Sequence, residues 1–256
     1  MVVLPPGTLL QLMYLRERLK HIAAGRFVEI GPGGGEITGL LLELGWTGVA
    51  YDLESQTIDA LRNRFKEHLT NGRLTTFNQD FMASPPTTKA DLVISCMVME
   101  HMDDQQQSLF MDQAARFLNG SGLMIGLVPG SPAHWGIEDE IAGHFRRYTR
   151  QALQEFVQKS RWNLIHLAGL TCPISNIVLP LSNYLVRRAE KAKLGLPTQE
   201  RTKLSGRRHV MFKTQFPVIL ALLLNRSALY PFHIAQKLFS GSERALVLYF
   251  EARPVL

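Results

Sequence analysis

Residues 27–38, FVEIGPGGGEIT, decide the fold. The apolar run Arg26 to Ile30 is built from strand formers and stops at a cluster of glycines. Ile37 to Leu44 then places its apolar residues at helical spacing until Gly45. Strand, glycine loop, helix is the opening of a nucleotide-binding βαβ unit, but the loop departs from the phosphate-binding versions. A dinucleotide fingerprint needs its third glycine at position 36, where Glu36 stands, and no Gly-Lys-Ser/Thr follows. A carboxylate in the first helical turn opposes an anion docked on that helix end. The glycines admit a ligand close to the backbone, while Glu29 and Glu36 favour one that is not anionic.

Working outward, the chain alternates strand and helix. Strands are expected over 47–52, 74–77, 91–96 and 122–128, the last after a turn at Asn119-Gly120. Helices are expected over 7–24, 58–69 and 105–118. Such alternation predicts an α/β fold with a parallel sheet covered by helices, and ligands at the carboxyl ends of its strands. Asp52 stands 21 residues beyond Gly31, the spacing that brings a carboxylate to a ribose. Asn78-Gln79-Asp80-Phe81 follows the third strand with an acceptor and an aromatic for an adenine ring. The ligand described is a nucleoside with a cationic tail.

Glu29 to Gly35, Asp52, Asn78 to Phe81, and Asp91 to Ser95 with Glu100-His101 resemble the successive motifs of class I S-adenosylmethionine-dependent methyltransferases, over roughly residues 26–170. The resemblance implies a Rossmann-like seven-stranded sheet flanked by helices, its last strand antiparallel, with 245–252 as the candidate for that strand. It implies S-adenosyl-L-methionine as cofactor and S-adenosyl-L-homocysteine as product. Glu29, Gly31, Gly33 and Gly35 would then surround the methionine moiety, and Asp52 with Leu53 the ribose. Asp80 and Phe81 would meet the adenine, while Cys96 and Met97 would line the pocket. No metal ligand set is expected.

After the fifth strand, residues 129–153 gather His134, Trp135, His144, Arg146, Arg147 and Tyr148 near the expected position of the transferable methyl group. Loops at strand ends carry function on this architecture. The segment Gly143-His144-Phe145-Arg146-Arg147-Tyr148-Thr149 also resembles a signature of a branch acting on small molecules and glycans. In-line methyl transfer requires alignment of nucleophile, carbon and sulfur. A hydroxyl acceptor also requires a base, for which His144 is the first candidate and His101 the second, with Tyr148 beside them. A carboxylate acceptor requires none, and Arg146 or Arg147 would orient it. His134 and Trp135 complete the substrate-facing set. Thr149 is equally placed to cap the helix that follows.

The favoured function is O-methylation of a small molecule or a glycan, including a lipid-linked one. The alternatives are N-methylation of a small molecule or peptide, nucleic-acid methylation, and a module that only holds the cofactor. The high pI suggests nucleic acid, but the basic cluster lacks interleaved aromatics, and Ser84-Pro85-Pro86 follows the third strand rather than the fourth.

Composition sets the remaining bounds. With 256 residues, 46% hydrophobic and 20% charged, and mean hydropathy near zero, one globular domain is expected (1–256), with an N-terminal helix within 1–25. Two cysteines, Cys96 and Cys172, and no export signal at the N-terminus fit a cytoplasmic chain. Residues 171–240 carry eleven Lys/Arg against Glu190 and Glu200, so the net +6 of the chain comes from this one segment. It is expected as a basic helical insertion before the last strand. Its apolar runs, 174–186 and 216–224, are too short to span a bilayer. They remain open to three readings: a cap on the catalytic core, a dimer contact, or peripheral membrane contact at the inner face.

Overall fold

The computed structural model describes residues 3–86, 89–195 and 216–255. Residues 196–215, the middle of the basic segment, lie outside them. Two compact units emerge, one of Leu19–Val128, Arg150–Leu167 and Tyr249–Leu256, the other of Met1–Arg18, Pro129–Thr149 and Ala168–Leu248. The 171–240 segment therefore falls into a unit that also takes in the N-terminal helix and the stretch after the fifth strand.

The first unit is built on the sheet. Its strands are β1 (Arg26–Ile30), β2 (Thr47–Asp52), β3 (Leu74–Asn78), β4 (Ala90–Cys96), β5 (Leu118–Pro129), β6 (Trp162–Leu170) and β7 (Val247–Pro254), in spatial order β3-β2-β1-β4-β5-β7-β6. The pairs β1–β2, β1–β4, β2–β3 and β4–β5 are parallel, and β7 runs antiparallel. The order reverses between β1 and β4, which makes the end of β1 the topological switch point where ligands of open α/β sheets bind. Register aligns the carboxyl ends there. Ile30 lies opposite Tyr51 and Ser95, Asp52 opposite Asn78, and Cys96 opposite Leu127.

Helices α2 (Glu36–Glu43), α3 (Ser55–Arg64), α4 (Lys66–Thr70), α5 (Asp104–Phe117) and α7 (Arg150–Lys159) belong to this unit. Phe27, Leu41, Trp46, Ile58, Phe110 and Phe117 are among its fully buried side chains. Each such aliphatic or aromatic side chain contributes roughly 1.5–3 kcal/mol over exposure. Helix α5 opens with a capping box, in which Asp103 accepts from Gln106 N–H at 2.8 Å and Gln106 accepts from Asp103 N–H at 3.0 Å.

Two boundaries differ from the sequence reading. The helix expected over 58–69 is broken at Phe65, whose ψ of 32° leaves the helical region and divides it into α3 and α4. The turn expected at Asn119-Gly120 lies inside β5. There Ser121 N–H donates to Asn119 Oδ1 at 3.0 Å, and the β4–β5 register shifts between Ala90–Leu118 and Leu92–Leu123. The turn chemistry is real, but it makes a bulge rather than a strand end.

The second unit contains α1 (Pro6–Leu19), α6 (Ile137–Ala142), α8 (Ile174–Glu190) and α9 (Tyr230–Leu238), with a 3-10 turn over Val218–Leu222. The second apolar run, expected as a helix, is only this turn. Helix α1 stops at Leu19, short of the expected Ala24, where a turn from Ile22 N–H to Leu19 O takes over. Leu9, Leu10 and Met13 of α1 form one small core with Leu229, Leu4, Ile174 and Leu224, and Ile137, Ile141 and Val186 form another. Its interior is also polar. Gln236 donates to Leu10 O at 2.9 Å and accepts from Thr171 N–H at 3.0 Å, and His233 Nε2 meets Glu17 Oε2 at 2.8 Å. The Lys237 ammonium, first, and His233 hold the Glu17 carboxyl below its ordinary value against a modest burial penalty.

No helix among the described residues is long and apolar enough to cross a membrane.

Candidate active site

The carboxyl edge of the sheet begins at β1. Gly31, Gly33 and Gly35 all take positive φ, at 68°, 52° and 81°. A Cβ at Gly31 would meet Val98 Cγ2 at 2.7 Å, and one at Gly35 would meet Leu61 and Phe65 at 2.8 Å, so glycine is required there by space as well as by backbone. Gly31 N–H donates to Tyr51 O at 3.0 Å and Gly35 N–H to Pro32 O at 2.8 Å, which fixes the loop against β2.

Glu29 is 2% exposed and accepts from Thr38 Oγ1 at 2.6 Å. Burial pushes its carboxyl up to about 7, with the neighbouring Glu36 and Asp52 charges adding to the rise and the Thr38 hydrogen bond opposing it. Glu36 turns out differently from its sequence role. Its carboxylate is paired with Arg64 at 2.7 Å, and the same guanidinium donates to Gly34 O. Its charge is therefore compensated, and Glu36 does not by itself exclude an anion. That exclusion rests on the buried Glu29 and the missing third glycine.

At the end of β2, Asp52 Oδ1 accepts from Glu54 N–H at 2.8 Å, and the Asn78 amide donates to Asp52 O at 3.1 Å and Leu53 O at 2.9 Å. Asn78 thus ties down the β2 loop rather than offering itself to a base. Leu53 is 66% exposed, an apolar side chain standing open at the ligand edge. Asp80 is exposed and caps the short turn Phe81–Ala83 by accepting from Met82 N–H at 2.9 Å. Phe81 corrects the sequence reading. The ring is 4% exposed and packs on Tyr51, Phe110 and Phe117, so it is a core side chain that supports the edge from behind.

Cys96 ends β4, and Met97 follows with a φ of 55°, rare for a residue with a side chain. Its N–H is held by Leu127 O at 2.9 Å. Strain of this kind costs on the order of 1–3 kcal/mol and gathers at functional edges. Burial, and then Glu100, push the Cys96 thiol far above its ordinary value, so it stays neutral. Glu100 and His101 lie in the 3-10 turn Met99–His101, with Glu100 fully buried.

The second unit holds the other candidates. Asp139 of α6 is fully buried and gathers three donors. His144 Nδ1 lies 2.8 Å from Oδ1, Arg147 Nε lies 2.8 and 2.9 Å from the two oxygens, and Gly136 N–H donates to Oδ2 at 2.9 Å. Burial alone would raise the Asp139 carboxyl; the His144 hydrogen bond and the Arg147 charge outweigh it and hold the group below its ordinary value. The ionised carboxylate partners Nδ1 and so fixes the orientation of the imidazole. Arg147 also donates to Gly130 O at 3.0 Å. That makes it a structural clamp and corrects its assignment as a substrate ligand.

Tyr148 is 3% exposed, with its N–H on Pro129 O at 2.9 Å and its carbonyl accepting from Ser131 N–H at 3.0 Å. Its backbone closes this loop on the end of β5. His134 Nδ1 lies 2.8 Å from Ser131 Oγ, Trp135 is half exposed, and Arg146 is half-buried. Ser131 and Thr171 take positive φ directly after β5 and β6. Sequence reasoning passed over Asp139, one of three consecutive acids, and Asn78 as a brace. The only available signal for Asp139 was its i+5 and i+8 spacing to His144 and Arg147.

A parallel sheet with a left-handed glycine loop at its switch point, a buried carboxylate beneath that loop and an acid at the next strand end defines a nucleoside-binding α/β enzyme. Residues 9–167 match the family described as Methyltransferase domain, and the chain belongs to it. It is an S-adenosylmethionine-dependent methyltransferase, with S-adenosyl-L-methionine as cofactor. The buried Glu29 and the glycine cradle fit a cationic amino-acid tail. No curated protein sequence matches the chain significantly.

Solved structures share the fold. Magnesium protoporphyrin IX methyltransferase from Synechocystis PCC 6803, with bound S-adenosylhomocysteine, is 15% identical over 64% of this chain and 77% of its own, with a TM-score of 0.54. The N-methyltransferase NodS from Bradyrhizobium japonicum, also with S-adenosylhomocysteine, is 16% identical over 62% and 76%, with a TM-score of 0.51. The [4+2]-cyclase SpnF is 12% identical over 96% and 81%, with a TM-score of 0.59.

Proposed function

We propose that the chain transfers a methyl group to a hydroxyl oxygen of a small molecule or glycan, in the cytoplasm, with His144 as the base. The observation that carries this reading is the 2.8 Å hydrogen bond from His144 Nδ1 to the fully buried, ionised Asp139. A base whose second nitrogen is fixed by a buried carboxylate is the arrangement that activates a hydroxyl. Bound S-adenosylmethionine supplies the electrophilic methyl carbon. Glu29 and the 31–35 loop would hold the amino-acid end, Asp52 and Leu53 the ribose, and Asp80 the adenine, with Cys96 and Met97 lining the approach. His144 would take up the acceptor hydroxyl proton, while bound S-adenosylmethionine would supply the methyl group. Arg146, His134 and Trp135 are left to orient the acceptor, and His101 is the reserve base. Tyr148, buried, acts through its backbone.

N-methylation is the second reading, favoured by the likeness to an N-methyltransferase. Tritiated methyl transfer into extracts pretreated with nuclease, protease or lipid solvent identifies the acceptor class. On the acceptor so found, His144→Ala is expected to lower kcat by about 10²–10⁴-fold with S-adenosylhomocysteine affinity unchanged. Full kcat in both His144→Ala and Arg146→Ala would end the O-methylation reading.

A further inference from the structure

Three successive elements of the second unit are turned inside out. The buried positions of α8 are Ser182, Val186 and Glu190, with Ser182 Oγ donating to Glu138 at 2.7 Å. Its solvent stripe, at helical spacing, is Ile177, Leu181 and Tyr184, with Val178 beside it and Ile177 71% exposed. Helix α9 repeats the arrangement. His233 and Gln236 face in, on Glu17, Leu10 and Thr171, while Tyr230, Ile234 and Leu238 face out, Leu238 at 80%. Between them the Val218–Leu222 turn exposes Val218, Ile219 and Leu222, with Leu223 just beyond. The elements share a support, because Ile174, Leu224 and Leu229 all pack on the Leu9–Leu10–Met13 cluster of α1.

We propose that the exposed faces of α8, the 218–223 stretch and α9 form a docking surface for an anionic lipid bilayer. Large apolar side chains turned to solvent on three successive elements are not the singly scattered hydrophobics of an ordinary surface. An interfacial helix buries such a stripe among headgroups and upper acyl chains, with aromatics at the boundary, a position that suits Tyr184, Tyr230, Phe232 and Phe239. Charge selects the occupant. Among the described side chains of residues 174–195 and 216–240, the exposed charges are Arg187, Arg188, Lys191, Arg226 and Lys237, all basic, the last paired with Glu17 of α1, and the only acid, Glu190, is buried. A second copy would bring like charges together around the same stripe, whereas anionic headgroups complement them.

Vesicle binding needs neither cofactor nor acceptor, so this inference can fail while the methyl-transfer reading stands, and the reverse. The full chain is sedimented with sucrose-loaded phosphatidylcholine vesicles, with and without phosphatidylglycerol. Binding is expected with the anionic lipid and at least tenfold less without it. Arg187→Gln with Arg188→Gln should weaken anionic binding about twentyfold. Leu181→Asp with Leu222→Asp and Leu238→Asp should abolish it, while S-adenosylhomocysteine binding stays unchanged. The arginine pair is exposed, so its substitution keeps the test open if the triple variant does not fold. No binding to anionic vesicles, equal binding to neutral ones, or binding indifferent to the substitutions overturns the proposal. So does a stable dimer by light scattering that the same substitutions dissociate.

Discussion

In the sheet unit most of the side chains that turn inward are apolar, and the acids proposed to meet the ligand stand at strand ends. Leu41, Ile58, Leu92 and Phe110 are buried, while Asp52 and Asp80 lie at strand ends. In the second unit Asp139, His233, Gln236 and Glu190 are buried, while Ile177, Leu222 and Leu238 are not. The first unit draws its stability mainly from removing apolar area from water, and its buried Gln107, Gln113 and Glu251 are hydrogen-bonded inside it. The second is held to a greater degree by hydrogen bonds and ion pairs, which are worth little net when made and cost a great deal when half broken.

Asp139→Ala tests that difference hardest. It would leave the Arg147 guanidinium and Gly136 N–H without their carboxylate inside the unit, and His144 without its orienting partner. Breaking one side of a buried pair typically costs about 3–5 kcal/mol. Urea unfolding should show a loss of that size, larger than for Asp139→Asn, which keeps an acceptor. A loss under about 1 kcal/mol would mean that the polar centre is not what holds the second unit.

Glu29 is a buried carboxyl of the sheet unit, with the Glu36 and Asp52 charges near it and Thr38 as its hydrogen-bond donor, and it predicts a pH dependence. Its folded value, about 7, lies above the ordinary 4.5, so the native state binds the proton more tightly than the unfolded chain. Stability is therefore undiminished below about pH 4.5 and falls as pH rises to about 7, by roughly 3 kcal/mol in all at 1.36 kcal/mol per unit. Glu29→Gln should remove that slope, read from denaturant midpoints between pH 5 and 8. A cationic ligand favours the ionised form, so S-adenosylmethionine affinity should improve with rising pH up to about 7 in the wild type and stay flat in the variant. A flat wild-type profile would detach Glu29 from the ligand.

How much was legible follows the same division. Strands β1 to β5 and the motifs at their ends could be read because a buried parallel strand must be a short apolar run, and a turn against a ligand needs glycine. Strand β6 was given no bounds, since its run mixes Asn163 and His166 among half-buried positions. Phe81 was misplaced because an aromatic after β3 reads equally as core or as ring partner, and only its contacts with Tyr51 and Phe117 decide. Arg146 and Arg147 are alike in sequence, and Asp139 is one of three adjacent acids. Which of them turns inward depends on α6 packing through Ile137 and Ile141, a tertiary fact. The 216–224 run was read as a helix from apolarity alone, without capping or length to sustain one, and forms a 3-10 turn over Val218–Leu222.

Asp52→Ala is expected to cost about 1.5–3 kcal/mol of S-adenosylhomocysteine affinity, the range for a hydrogen bond to a charged group, with stability nearly unchanged. Its hydrogen bond to Glu54 N–H is local to an exposed loop, so a structural role would show as a loss of melting temperature without loss of affinity. Calorimetry and melting together separate the two, and equal affinity would remove Asp52 from the ribose.

The smallest effect belongs to Leu222→Ser and Leu238→Ser. In the sheet unit, replacing a buried leucine such as Leu41 by Ala should cost about 2–5 kcal/mol, through lost burial and the cavity left behind. Leu222 and Leu238 are 79% and 80% exposed, so their hydroxyl replacements should move stability by no more than about 0.5 kcal/mol. The same residue type thus separates the two units by about a factor of ten. If Leu238→Ser destabilises the isolated chain as a core substitution would, the face is covered in solution by protein, and the inside-out reading of α9 fails with it. If stability holds while vesicle binding drops, the leucine has no task inside the folded chain, and its apolar surface is kept for what lies outside it.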